Sequence, residues 1–215
     1  MKAKLVDLGR MPYRTCDALQ RSLLEDVLAG EPATLLLVEH DPVITLGAGY
    51  HKENLLQTVS SYQAKGIEVV PIDRGGDVTY HGPGQLVIYP IFDTQVSGRD
   101  LHRWLRDLEE AMLRSCQAFG ISGRRFPPHT GVWVGDAKIA AIGIKLRRWV
   151  SMHGIALNCD LDLEPFSTII PCGIKGYGVT SLTLEAGQKV SVDEAKPVVA
   201  AAFQELFSLT WVETK

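Results

Sequence analysis

The chain has 215 residues, 46% hydrophobic and 22% charged, which is ordinary globular chemistry. A formal charge of −3 gives no bulk electrostatic case for nucleic acid, and no apolar run is long enough to cross a bilayer. Four cysteines without a CxxC pair read as free thiols in a reducing compartment, so a cytoplasmic protein is expected.

Lys4 to Leu8 alternates apolar and polar residues and predicts a first strand. From Tyr13 to Ala29, Leu19, Leu23, Val27 and Leu28 recur at helical spacing between Pro12 and Gly30, a start and a stop signal. Thr34 to Val38 is a continuous apolar run and predicts a buried strand. Asp41-Pro42 then turns the chain into Val43 to Leu46. Leu55 to Lys65 is expected to be helical up to Gly66, followed by a strand over Ile67 to Ile72. A glycine-rich stretch leads into a further strand, Leu86 to Ile91.

Ser97 and Asp100 have capping-box spacing ahead of a helix to Phe119, striped by Leu101, Leu105, Leu108, Met112 and Leu113. Gly131 to Val134 and Lys138 to Leu146 flank Gly135-Asp136 as a hairpin, and Ser151 to Asn158 continues that sheet. Ser191 and Glu194 predict a second capping box before a helix reaching about Leu206, with Trp211-Val212 as an edge strand. No repeat, low-complexity tract or linker interrupts the chain, so residues 1–215 read as one mixed α/β domain.

The densest local signal is Arg74-Gly75-Gly76-Asp77-Val78-Thr79-Tyr80-His81-Gly82-Pro83-Gly84-Gln85. Its glycines permit positive φ and close backbone approach, and a mere connector does not require its polar set. Arg74 and His81 are candidates to orient a carbonyl or a neighbouring loop; a kinked strand pair with mutually satisfied side chains explains the composition as well. The Gly-Lys-Ser/Thr ending of a phosphate-binding loop is missing.

Pro171-Cys172-Gly173 is the second signal. Proline restricts the turn and glycine leaves room beside the thiol, so a thiolate there is open to substrate. Cysteine suits acyl transfer because thiol-for-thioester exchange is nearly isoenergetic. A buried, packed thiol is the competing reading. Lys138 opens an otherwise uncharged strand and is a candidate proton partner, against the plainer reading of a solvated strand end. Gly154 and Ala156 remove bulk beside His153, either for a chain-like ligand or for close packing of two backbones. A metal set of His81, His153, Cys159 and Cys172 matches no compact zinc spacing. Cys16 and Cys116 sit in predicted helices and read as packing residues.

Taken in order, Glu39 to Gly47, Arg74 to Gln85, Gly131-Val132-Trp133, Lys138 to Gly143, His153 to Asn158, Pro171 to Ile174 and Val179 to Leu182 resemble the lipoyl(octanoyl) transferase family. The chain departs from the family pattern at Gly47-Ala48-Gly49-Tyr50, where basic residues often follow the glycine. The resemblance implies the mixed, largely antiparallel sheet flanked by helices of biotin and lipoate protein ligases. It implies transfer of an octanoyl or lipoyl group from acyl carrier protein to a lysine of lipoyl domains, as in 2-oxoacid dehydrogenase complexes and the glycine cleavage H protein. On that resemblance Cys172 carries the acyl group and Lys138 lowers its pKa and shuttles protons. Arg74, Gly75, Gly76, Asp77, Val78, Thr79, Tyr80 and His81 would line the acyl site, with Ala141, Ile142, Gly143, Gly154, Ile155 and Ala156. No metal, ATP, other cofactor, nucleic acid or membrane is implied. An ATP-dependent lipoate or biotin ligase and a catalytically silent carrier-binding module are the alternatives.

Overall fold

The computed structural model describes residues 1–174 and 176–212. The chain runs through β1 (Lys2–Met11), α1 (Tyr13–Leu28), β2 (Ala33–His40), β3 (Val43–Leu46), α2 (Val59–Ala64) and β4 (Glu68–Pro71). It continues with β5 (Val78–His81), β6 (Gln85–Ile91), α3 (Leu101–Ala118), β7 (Arg124–Phe126), β8 (His129–Val134), β9 (Ala137–Arg147) and β10 (Val150–Asn158). β11 (Gly178–Val179), α4 (Leu182–Ala186), α5 (Val192–Phe207) and β12 (Thr210–Val212) complete it.

The large sheet has the order β12-β1-β2-β6-β10-β9-β8-β7, with β11 added beside β9. Pairings of β1 with β12 and β2, and of β11 with β9, are parallel; the others are antiparallel. The central strands are covered on both faces, and their period of two sorts side chains between two cores. Leu35, Leu37, Leu86, Ile88, Ile155 and Leu157 join the core under α3 and α5, while Leu36, Val38, Val87, Tyr89 and Ala156 face α1. A separate sheet of order β4-β3-β5 has its own cluster around Ile44, Tyr62, Val78, Tyr80 and Phe166. The expected mixed, largely antiparallel sheet flanked by helices is present; this second small sheet is the addition.

Most expected elements form close to the expected bounds, and the differences trace to specific hydrogen-bond partners. Only Val59–Ala64 of the helix expected over Leu55 to Lys65 is helical. Leu55 instead bridges Ile169, the Leu56 amide donates to the Thr168 carbonyl, and the Thr58 hydroxyl caps the shortened helix by accepting from the Ser61 amide. Ser97 and Asp100 do not form a capping box. Asp100 is itself the cap, accepting from the His102 and Arg103 amides, and Ser97 donates to Asp107. The Ser191–Glu194 box does form.

Gly154 lies where β10 presses on β6. A Cβ there would stand 2.1 Å from the Ile88 carbonyl oxygen, which is backbone and cannot step aside. Close backbone packing therefore explains this glycine. Gly154→Ala is expected to cost about 1–3 kcal/mol, as overpacking does, readable as a lower urea midpoint at unchanged slope.

Candidate active site

The pocket lies on the α1 face of the large sheet, where the small sheet folds over β6, β9 and β10. It is open to solvent, and its free space, the solvent-facing mouth included, is about 470 Å³. Its walls are mostly apolar or backbone, with Cys172 at one edge.

Cys172 sits in a single helical turn, Pro171–Gly173, at φ 57°, ψ 16°. A non-glycine residue in this left-handed region carries about 1–2 kcal/mol of strain. Gly173 follows at φ 68°, and a Cβ on it would lie 3.1 Å from Asp77 Oδ2. Asp77 in turn accepts from Asn54 Nδ2 at 2.6 Å, from the His51 amide and from its own neighbour, the Val78 amide. The turn thus rests on a carboxylate that also ties down the 51–54 segment. Cys172 is partly exposed, whereas Cys16, Cys116 and Cys159 are buried and burial pushes each thiol up to about 12.

Lys138 Nζ lies 3.5 Å from Cys172 Sγ and 4.9 Å from the centroid of the Trp133 ring. The lysine is only 7% exposed. A β-bulge aims it there. Val132 pairs with Ala140 but Trp133 pairs with Lys138, so β9 carries one extra residue at Ile139. Strict alternation would put Lys138 and Ala141 on opposite faces, yet both border the small cavity behind Cys172.

Arg74 is buried beneath the pocket. Its guanidinium donates to the Thr45 carbonyl at 3.0 Å, to Thr45 Oγ1 at 2.9 Å and to the Gly75 carbonyl at 3.0 Å. Burial lowers its pKa, opposed most by the charge of Cys172. Missing side chains make room for it: a Cβ on Gly47 would fall 2.7 Å from Arg74 Nη1 and 2.3 Å from the Gly76 carbonyl oxygen. The Gly47, Ala48 and Gly49 amides donate to the Asp77, Arg74 and Gly76 carbonyls. The stretch that departs from the family pattern therefore serves as a backbone clasp on the glycine-rich segment.

His81 Nδ1 meets Gln85 Oε1 at 2.7 Å, and Gln85 Nε2 donates to Asn158 Oδ1. Burial, with His40 and Arg74 nearby, pushes His81 down to about 3, so the imidazole is neutral. His40 and His153 are also lowered, chiefly by burial. Unfolded, these side chains regain their ordinary pKa near 6.5, so the unfolded chain binds more protons below it. Stability is therefore full above about pH 6.5 and falls as pH drops toward 3. The thermal midpoint should follow that course, with a shallower slope in His81→Gln; an equal slope would remove His81 as a cause.

His153 Nε2 contacts Asp73 Oδ1 at 2.8 Å. Burial works to raise Asp73, but hydrogen bonds from Lys145, Arg21 and His153 outweigh it and hold the carboxyl well below its ordinary value.

Of the fourteen wall residues expected from the resemblance, Arg74, Gly75, Gly76, Thr79, His81, Ala141, Ile142, Gly143, Gly154, Ile155 and Ala156 line the pocket with Cys172. Asp77, Val78 and Tyr80 do not. The reason is strand alternation in β5: Thr79 and His81 face the pocket, while Val78 and Tyr80 pack into the small sheet's core, Tyr80 edge-on to Phe166 at 5.6 Å. Asp77 supports the Cys172 turn instead. Tyr13, Val87, Tyr89 and His153 also line the pocket. Val87 and Tyr89 were discoverable as one face of a period-two strand, but Tyr13 at a helix start carries no such mark. Among the described residues, no group of three or more His, Cys, Asp or Glu is arranged to hold a metal, and no helix is long and apolar enough to cross a membrane.

The family described as the lipoyl protein ligase A/B catalytic domain matches residues 12–204. Curated proteins named octanoyltransferase from Citrifermentans bemidjiense and Syntrophotalea carbinolica are 48% and 50% identical to this chain, over 94% and 97% of its length and 96% of theirs. A solved putative lipoate protein ligase from T. acidophilum superposes at a TM-score of 0.81 with 20% identity, covering 100% of this chain and 89% of that one. Biotin protein ligase from Aquifex aeolicus gives 0.52 at 16% identity, over 97% and 70%. These two structural likenesses speak to the fold alone.

Proposed function

The chain belongs to the lipoyl protein ligase A/B catalytic-domain family and is an acyltransferase of the octanoyltransferase kind; from that premise we propose that it carries the octanoyl group as a thioester on Cys172. The donor is octanoyl-loaded acyl carrier protein and the acceptor a lysine of a lipoyl domain, both in the cytoplasm. The observation that supports this reading best is the 3.5 Å approach of Lys138 Nζ to Cys172 Sγ at the edge of an apolar pocket.

The steps follow from that arrangement. Lys138 takes the Cys172 thiol proton, the sulfur attacks the donor's thioester carbon to form a new C–S bond, and the donor's C–S bond breaks. The departing thiolate takes a proton from Lys138. The acyl tail lies along Ala141–Gly143 and Gly154–Ala156, where each buried CH₂ contributes about 0.8 kcal/mol. Arg74, fixed and desolvated beneath the pocket, favours negative charge developing on sulfur and oxygen. The acceptor amine then attacks the acyl carbon, the bond to Sγ breaks, and neutral Lys138 takes up the amine's proton. An amide is more stable than a thioester, so the second step is downhill and requires neither ATP nor a metal.

The test mixes the protein with octanoyl-acyl carrier protein in the absence of ATP and reads its intact mass. One octanoyl group should appear on the protein and move to a lipoyl domain when that is added. Pyrophosphate release from ATP and free octanoate, with no adduct from the thioester, would instead establish a ligase.

A further inference from the structure

Cys172 is reached from two sides. The apolar pocket lies on the Arg74 and Gly143 side. On the other side, a cavity bordered by Lys138, Pro171, Cys172 and Val179 adjoins a second one lined by Trp133, Lys138, Ile174 and Tyr177. That cavity shares Pro171, Ile174, Tyr177 and Val179 with an open surface groove that extends past Leu163, Phe166 and Ile169. These cavities therefore adjoin in a row from the surface groove, past Tyr177, to Lys138 and Cys172.

Tyr177 is one of the few large apolar side chains that is exposed, at 40%. Its ring meets Trp133 at 5.6 Å and Phe126 at 5.2 Å, both edge-on. Just after it, β11 pairs with β9, Gly178 opposite Ala137 and Val179 opposite Lys138. The backbone thus holds this aromatic wall in register with the lysine.

We propose that this groove is the channel by which the acceptor's primary amine reaches the acyl carbon on Cys172, with Tyr177 as its binding wall. The inference rests on the acyl-cysteine reading. With the tail in the pocket, its side of Cys172 is filled, and the amine must come by another path. A lysine amine arrives as an ammonium, its ordinary pKa being near 10.4, and must first release one proton to bulk water at the mouth, becoming neutral before it can attack. Aromatic faces attract an ammonium at the mouth, and desolvation between apolar walls then disfavours its charge. No carboxylate is among the described residues lining the path, so nothing there holds the ammonium charged. At the inner end, Lys138 has given its proton to the departing donor thiol and is ready to take one. The amine lone pair forms the N–C bond, the C–Sγ bond breaks with its electrons on sulfur, and the proton passes to Lys138.

The experiment separates the two half-reactions by intact-mass time courses. Octanoyl-pantetheine loads the full-length protein, and Nα-acetyl-lysine amide then unloads it. Tyr177→Ala should raise the amine concentration for half-maximal unloading about tenfold, the size of a desolvated cation–π contact, with loading at the wild-type rate. Tyr177→Phe, which keeps the ring, should unload like wild type. Unloading of Tyr177→Ala at the wild-type amine concentration overturns the proposal. So does equal or greater slowing of the loading step, which gives the groove to the donor's arm. A wild-type protein that gains no octanoyl group removes the acyl-cysteine reading itself and this inference with it.

Discussion

Cys172→Ala should stay folded, gain no octanoyl adduct and transfer at least about a thousandfold more slowly, the scale of losing a catalytic nucleophile. Cys16, Cys116 and Cys159 cannot substitute, because they are buried and their thiols are pushed up to about 12. An adduct of one acyl group persisting in Cys172→Ala would end the assignment. The strained backbone adds a second readout. At φ 57°, glycine is free of the penalty that cysteine carries. Cys172→Gly is therefore expected to be inactive yet about 1 kcal/mol more stable than Cys172→Ala. A stability–activity trade of this kind marks a residue kept for chemistry rather than packing.

Lys138→Met should slow both half-reactions by about 10² to 10⁴, the range of a lost general acid–base. The methionine preserves most of the apolar stem that lies against Trp133. Lys138→Arg separates charge from proton transfer. Arginine keeps a cation near the sulfur but does not release and recover a proton near neutral pH. Little rescue by arginine is expected, and near-wild-type unloading in that variant would leave Lys138 only an electrostatic role. The rate of thiol alkylation at neutral pH provides the matching measurement on the free enzyme. Lys138→Met is expected to slow alkylation of Cys172, and an unchanged rate would count against the pairing.

Much of the fold was legible because its signals are local. The Tyr13 helix between Pro12 and Gly30, the Gly135-Asp136 hairpin and the Ser191–Glu194 box each depend on residues a few positions apart, and each forms. The expected helix from Leu55 shrank because its first residues bond to a segment more than a hundred positions away. No window of sequence contains that partner. Strand β5 was hidden for a related reason. The glycines on either side of Val78–His81 left a ligand-approaching segment and a kinked strand pair both open, and pairing with β3 makes it a strand.

The site divides along the same line. Residue type and order raised Cys172 between proline and glycine, the charged lysine opening an apolar strand, and the glycine-rich segment with Arg74 and His81 as candidates, each beside a plainer packing or solvation reading. They could do so because the capacity to act as nucleophile, to carry a proton or to leave steric room is a property of side chains. Tertiary structure decided which of them meet. A one-residue bulge at Ile139 turns Lys138 toward a thiol 34 positions away. Alternation in β5 keeps Thr79 and His81 in the pocket and takes Val78 and Tyr80 out of it. Gly154, which the sequence left between ligand clearance and backbone contact, is fixed by the Ile88 carbonyl. Distance and facing depend on strand register, and register is set by partners that lie far along the chain.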